Sequence, residues 1–118
     1  MSMVKIVCLS YDKGVAEERR VALKRAGFEV MATTSPEQIH AVLHRERVDV
    51  IVIGHHFADV ETDPLIAEAR RIWGASVVVV TGIGAPPDLR ADVSVPVLHG
   101  IDGLLKAVET AVLRMMVA

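Results

Sequence analysis

The sequence of 118 residues has few aromatic side chains, a single cysteine and no large excess of either charge. Aromatic residues make up only 3% of the chain, too few for a platform on which nucleic-acid bases stack. A formal net charge of −2 also lacks the basic excess that nucleic-acid-binding domains carry. The sequence therefore predicts no nucleic-acid partner.

One cysteine, Cys8, cannot form an internal disulfide, which is typical of a reducing compartment. The longest apolar run, residues 77–80, is far shorter than the roughly 18 residues of a membrane span. No secretory signal is recognisable before the charged segment that follows the first strand-like run. We expect one soluble, cytoplasmic domain over residues 1–118, without a membrane or a cofactor, and with an aliphatic core.

Four short apolar runs and one weaker run are typical of strands that are covered on both faces, because such strands need no polar alternation. The runs are residues 6–9, the weaker 28–32, then 50–53, 77–80 and 93–98. Stretches with helical spacing at residues 15–26, 35–43, 63–73 and 102–118 lie between or after them.

The interval 81–92 contains two glycines and two prolines and has no apolar stripe, so a helix there is expected to be missing or reduced. The alternation of strands and helices predicts an α/β fold. We expect a flavodoxin-like, doubly wound sheet of five parallel strands in the order 2-1-3-4-5.

In such an open sheet, ligands bind at the carboxyl ends of the strands where the winding reverses. The residues that follow the predicted strands are therefore the candidate site. They are Ser10, Tyr11 and Asp12 after the first strand, Gly54, His55 and His56 after the third, Thr81 at the end of the fourth, and His99 after the fifth.

The pattern of lengths over almost the whole chain resembles the receiver domain of two-component response regulators, the CheY-like domains. The resemblance is carried by "VKIVCLSYD", by "LKRAGFEVMATTSPEQIHAVLHRERVDVIVIG" and by "ASVVVVTG". In that family an aspartate after strand 3 accepts phosphate, an acidic pair after strand 1 holds Mg²⁺, and a hydroxyl on strand 4 and a lysine on strand 5 bind the phosphoryl group.

Carried over by position, the resemblance implies a degenerate pocket without catalytic residues. The phosphoacceptor position falls on Gly54, and the acidic pair falls on Ser10 and Tyr11, with Asp12 as a weak metal candidate. Thr81 retains the hydroxyl. The lysine position falls on or near His99, and the aromatic switch position falls near Pro96.

These positions favour a non-enzymatic pseudo-receiver that signals through a protein partner or as a homodimer, without phosphorylation of an aspartate. Pro96 and the terminal methionines Met115 and Met116 are the candidate interaction surface. A small-ligand or anion-sensing flavodoxin-like domain remains an alternative. A third alternative is a phosphotransfer component that uses His55, His56 or Cys8.

Three further expectations concern single positions. Cys8 lies inside a predicted strand and should be a buried, inert thiol. His55 and His56 should point to opposite sides of the chain, because neighbouring residues leaving a strand do so. The charged run 17–20 should form a solvated helix face.

Overall fold

A computed structural model describes residues 3–117 of the chain. Within that part the chain forms five β-strands, four α-helices and one 3₁₀ turn. The strands are β1 (Lys5–Leu9), β2 (Glu29–Thr33), β3 (Val50–Ile53), β4 (Ser76–Thr81) and β5 (Val93–Pro96). The helices are α1 (Lys13–Arg25), α2 (Pro36–Leu43), α3 (Asp59–Trp73) and α4 (Gly100–Val117), and the 3₁₀ turn covers Val97–His99.

All five strands pair in parallel in one sheet, in the order β2-β1-β3-β4-β5. Helices α1 and α4 pack on one face of the sheet, and α2 and α3 pack on the other. The predicted flavodoxin-like fold class is confirmed. Because the winding reverses between β1 and β3, the crevice that this fold uses for ligands lies at the carboxyl ends of those two strands.

The sheet separates two apolar layers, as the continuous apolar runs indicate. Val7 and Ile51 face α2 and α3, while Ile6 and Val50 face α1 and α4, and all four side chains are fully buried. Successive residues of a strand point to opposite faces, so an uninterrupted apolar strand contributes to both layers. The aliphatic core that the composition predicts is thus divided by the sheet.

Side-chain caps set the beginnings of two helices. The Ser35 hydroxyl accepts a hydrogen bond from the Gln38 amide at 3.4 Å, and Pro36 occupies the first helical position, as predicted. The Asp12 carboxylate accepts from the Val15 amide at 3.0 Å. Helix α1 therefore begins at Lys13 rather than at residue 15.

The predicted start of α3 at Asp63 is wrong, because the helix begins at Asp59 and contains Pro64. A proline favours the first turn of a helix, where its missing N–H is tolerated, but it does not have to mark the first residue. The extra turn has its own support: the Glu61 carboxylate accepts from the Ala58 amide at 3.2 Å, beside the first turn's backbone bonds.

The predicted fifth strand is too long at its carboxyl end. Strand β5 ends at Pro96, and residues 97–99 turn into the 3₁₀ segment that leads to α4 at Gly100, rather than at Asp102. β5 is an edge strand, so one of its sides has no neighbouring strand. Pro96, which has no N–H, therefore leaves no hydrogen bond of the sheet unmade on that side.

Residues 82–92, all of which the structure describes, contain no α-helix, which confirms the predicted loss of a helix. This segment is named the β4–β5 loop. Among the described helices, none is both long enough and apolar enough to cross a membrane.

Candidate functional site

The ends of β1 and β3 bring Ser10 and Gly54 together. Leu9 and Ile53 are register partners, and the Gly54 amide donates to the Leu9 carbonyl at 2.8 Å. Ser10 follows Leu9, is fully buried, and donates its own amide to the Thr33 carbonyl at 3.0 Å. The sequence correctly predicts that these two positions share one edge of the sheet.

Gly54 lies where no side chain fits without displacement. An ideal Cβ at this position would be 2.9 Å from the Leu9 carbonyl oxygen and 3.0 Å from Nη1 of Arg19. The first contact is with backbone, which cannot move aside as a flexible side chain can. The glycine is thus required by close packing, since its conformation does not need a positive φ.

The group against Gly54 is the guanidinium of Arg19, which projects from α1. Arg19 has only 7% of its surface exposed, and its Nη1 donates to the Ser10 hydroxyl at 3.3 Å. The expectation of a solvated face for residues 17–20 is therefore wrong at this position. Its neighbour Arg20 is partly exposed and pairs with the exposed Glu17 at 2.6 Å, as expected for such a face.

A signal for Arg19 exists in the helical spacing. It lies three residues after Ala16 and four before Leu23, and both of these are buried. Those intervals place all three on one face of an α-helix. Because the residues on either side of Arg19 are charged, the sequence pattern predicts an exposed side chain at this position.

Tyr11, His55 and His56 form a compact cluster at the mouth of the crevice. The two imidazole centroids are 4.2 Å apart, and the Tyr11 ring is 5.0 Å from one and 4.9 Å from the other, edge-on. The expectation that the histidines diverge is wrong. His56 adopts a φ of 73°, a left-handed conformation that alters the direction of its side chain.

Burial, then His56 and Arg19 nearby, lower the pKa of His55 below its usual value. Its Nδ1 is buried and has no hydrogen-bond partner among the described residues. An imidazole with a depressed pKa is neutral at pH 7, so one ring nitrogen can accept a hydrogen bond and the other can donate one.

Thr81 ends β4 and is buried, as its place beside the crevice predicts. It lines a cleft of about 460 Å³ on the β4–β5 loop side, together with Gly54, His55 and His56. His55 also lines a second, smaller cleft between α1 and α4, named here the Arg19 cleft.

Asp12 is engaged as the cap of α1, with one carboxylate oxygen on the Val15 amide. His99 lies on the exposed 3₁₀ turn, three residues beyond the end of β5, and it lines neither cleft. Its predicted place at the strand end is therefore wrong, since β5 stops at Pro96, where the backbone leaves the sheet.

Cys8 is fully buried in β1, which confirms its predicted burial. Its Sγ lies 3.7 Å from the Ser10 hydroxyl oxygen. Burial raises the pKa of the thiol, opposed by the Ser10 hydrogen bond and by Arg19. A thiol with a raised pKa is a weak nucleophile at neutral pH.

One group with the right donor atoms for a metal lies elsewhere in the described part of the chain. His40 and His44 of α2 and Glu68 of α3 have donor atoms within 4.8 Å of one another. Glu68 is bound by Arg71 at 3.0 Å and by His44 at 2.9 Å. Glu68 is thus already engaged by Arg71 of its own helix and by His44 of α2.

The terminal methionines differ in exposure. Met115 packs partly against the apolar layer under α4, whereas Met116 is exposed, together with Leu113 and Val117. Pro96 is exposed at the end of β5. The described end of α4 therefore carries an apolar surface of Leu113, Met116 and Val117, named here the α4 patch.

The fold and the crevice define an open, doubly wound parallel sheet whose switch point holds a buried guanidinium. No family model matches the chain, and no curated protein matches it. Solved structures do match, over nearly the whole chain.

A response regulator receiver domain protein from Clostridium thermocellum matches with a TM-score of 0.79 and 17% identity, covering 98% of each chain. The signal receiver domain of an HD domain-containing protein from Pseudomonas fluorescens Pf-5 matches with a TM-score of 0.81 and 14% identity, covering 99% of this chain and 100% of that one.

A CheY-like receiver domain protein from Methanospirillum hungatei JF-1 matches with a TM-score of 0.77 and 18% identity, covering 92% of this chain and 93% of that one. The chain thus has the fold of the receiver domains of signalling response regulators.

Proposed function

We propose that this chain is a receiver-like signalling module that acts by protein contact and is not phosphorylated on an aspartate. The observation that carries this proposal is the environment of Gly54. The family's phosphoacceptor position falls on this residue, and the Leu9 carbonyl and the Arg19 guanidinium lie where its side chain would begin. No carboxylate is available there to accept a phosphoryl group.

The positions of the acidic pair support the same proposal. Ser10 is buried and bound to Arg19, and Tyr11 packs against the two histidines. Asp12 uses a carboxylate oxygen to cap α1. A Mg²⁺ ion prefers several carboxylate oxygens, and these three residues offer one carboxylate between them.

The position of the family's phosphate-binding lysine on strand 5 also carries no charged side chain in this chain. In receiver domains this lysine is followed by a proline, and in this chain Pro96 follows Val95, a buried residue at the end of β5. We therefore assign the lysine position to Val95 in place of His99, and Pro96 to the proline that follows it in place of the aromatic switch position. Of the phosphate-binding groups, the hydroxyl of Thr81 remains.

The proposed contact surface is the edge of β5 and the outer side of α4, where receiver domains dock their partners. Pro96 and the α4 patch are exposed on these elements. Exposed apolar surface of this kind marks contact sites on soluble proteins, and methionine side chains adapt to varied partners.

The test is incubation of the chain with Mg²⁺ and a small acyl-phosphate donor, followed by intact mass measurement. We expect no acid-labile phosphoryl adduct, whereas an ordinary receiver domain treated in parallel gains one. A stoichiometric adduct on this chain would overturn the proposal. An adduct lost in His55→Ala or His56→Ala would instead establish histidine phosphotransfer.

A further inference from the structure

Arg19 is a buried cation whose charge the described residues leave unpaired. A guanidinium has five N–H donors and stays protonated, and the one hydrogen bond found goes to a neutral hydroxyl. Among residues 3–117, no carboxylate forms an ion pair with it. Burying such a charge without an anionic partner is costly.

Arg19 lines an open space. The Arg19 cleft has a volume of about 200 Å³ and lies between α1 and α4, and Tyr11, His55 and Gly100 also line it. Gly100 is the first residue of α4, an 18-residue helix. The Gly100 amide is bonded to the Val97 carbonyl, so the helix attracts an anion through the other N–H groups of its first turn and through its dipole.

The polar side chains that line the cleft are those of Tyr11, Glu18, Arg19 and His55, and all of them except Glu18 can donate a hydrogen bond. His55 lines this cleft and the larger one, and its buried Nδ1 has no partner among the described residues. The one acidic residue on the lining is Glu18, which is exposed and so lies at the solvent side. Arg19 is the one permanently cationic residue on the lining and it is buried, so it supplies the charge that would attract an anion.

We propose that the Arg19 cleft binds a small oxyanion, a phosphate or carboxylate group, with Arg19 as its principal ligand. Arginine binds both groups through paired N–H donors, and His55 and the start of α4 add further donors. The site differs from the larger cleft that Thr81 lines, because it is formed by α1 and α4 on the other side of His55.

The volume limits the class of ligand. Sites for drug-sized ligands begin at about 300 Å³, so a space of about 200 Å³ suits an inorganic anion or a short carboxylate. A nucleotide, with its base, sugar and phosphate, is larger than such a space. A nucleotide is therefore outside the proposed class.

The test is a titration of the isotopically labelled chain with inorganic phosphate and, separately, with acetate, at constant ionic strength set with chloride. We expect saturable amide shifts at Ser10, Arg19, Gly54 and Gly100. At ten times the dissociation constant, the melting temperature should rise by about 5 °C. The two probes distinguish phosphate from carboxylate recognition.

Arg19→Met keeps the length of the side chain and removes its charge, so it should abolish the saturable shifts. Arg20→Met removes the adjacent, partly exposed guanidinium, which pairs with Glu17, and should leave them unchanged. If Arg19→Met does not fold, Arg19→Lys serves instead, because it keeps the charge but loses the planar fork, and it should bind at least about tenfold more weakly.

Retention of the same affinity in Arg19→Met, or in Arg19→Lys if that variant is used, would overturn the proposal. Wild-type shifts that scale with ionic strength and never saturate would overturn it as well. The phosphodonor experiment reports a covalent adduct, whereas this titration reports reversible binding, so each proposal can fail without the other.

Discussion

At the residue scale, Gly54 and Arg19 depend on each other. The absent side chain of Gly54 leaves the space in which the guanidinium approaches Ser10, and the guanidinium in turn fills the position that a larger residue would occupy. The two residues therefore act as a unit.

The first prediction concerns Gly54→Ala. The new Cβ would meet the Leu9 carbonyl oxygen at 2.9 Å and Nη1 of Arg19 at 3.0 Å. Overpacking of this kind costs about 1 to 3 kcal/mol, which a urea denaturation midpoint measures.

The matched control for Gly54→Ala is Gly82→Ala. Its nearest neighbours would be 3.9 Å from the added Cβ, and its φ is not in the left-handed region. We expect a change in the free energy of unfolding of less than about 0.5 kcal/mol. Equal costs at the two positions would contradict the close packing at Gly54.

The sequence was sufficient to predict which strand ends meet, because parallel pairing follows from the apolar runs and from strand order. It was not sufficient to predict the contacts made there. The burial of Arg19 depends on the glycine across the crevice, and the approach of the two histidines depends on the left-handed backbone at His56. Both result from tertiary packing, which local pattern does not encode.

At the element scale, the β4–β5 loop replaces a helix, and Arg90 holds it in place. The Arg90 guanidinium binds Asp88 at 2.8 Å within the loop, and Asp63 at 2.5 Å and Thr62 at 2.8 Å on α3. The loop is also tied to β4, where the Asp92 carboxylate accepts from the Val77 amide at 2.7 Å. Charged hydrogen bonds thus take the place of helix packing.

Strand positions were predicted well, whereas helix boundaries were not. Residues 50–53 are β-branched and fully enclosed, so their pattern has one interpretation. The start of α3 is harder to predict from the sequence. The polar residues before Pro64 are compatible with a helix, whereas Pro64 itself indicates that a helix begins there. The end of β5 depends on the edge position of Pro96, which only the complete sheet establishes.

The second prediction concerns Arg90→Met and pH. The hydrogen bond from Arg90 lowers the pKa of Asp88 from its ordinary value of 3.8, so the charged pair stabilises the fold above that pH. The substitution should cost about 1 to 2 kcal/mol at pH 7, discounted for partial exposure. The difference from wild type should shrink as the pH falls below 3.8 and through the folded value.

Thermal unfolding of wild type and Arg90→Met between pH 2 and 7 measures this dependence. Arg71→Met is the control, because Arg71 pairs with Glu68 on the same helix and is exposed. It should cost less than about 0.5 kcal/mol at pH 7. A pH-independent cost for Arg90→Met would contradict the role assigned to the ion pair.

At the scale of the whole molecule, the apolar content is not completely enclosed. The α4 patch leaves Leu113, Met116 and Val117 between 63% and 85% exposed, at the end of a helix whose other side is well packed. In a solution of the isolated chain, the protein that can cover this surface is a second copy of the same chain.

We therefore predict weak self-association through the α4 patch. Light scattering over a range of protein concentrations should show a rising average mass, and Leu113→Glu with Met116→Glu should restore the monomer mass. Val60→Glu is the control, since Val60 is equally exposed on α3. A rising mass in the double variant, or its loss in the control, would contradict this assignment.

The burial of Cys8 gives the molecule a built-in reporter. Its thiol lies below Ser10, on the inner side of the Arg19 hydrogen bond, and it is the chain's single cysteine. A thiol-specific label can therefore attach only when that layer opens, and it attaches once per molecule. The labelling rate therefore measures how often the crevice opens. A ligand that keeps the crevice closed slows the labelling and does not itself react with the label.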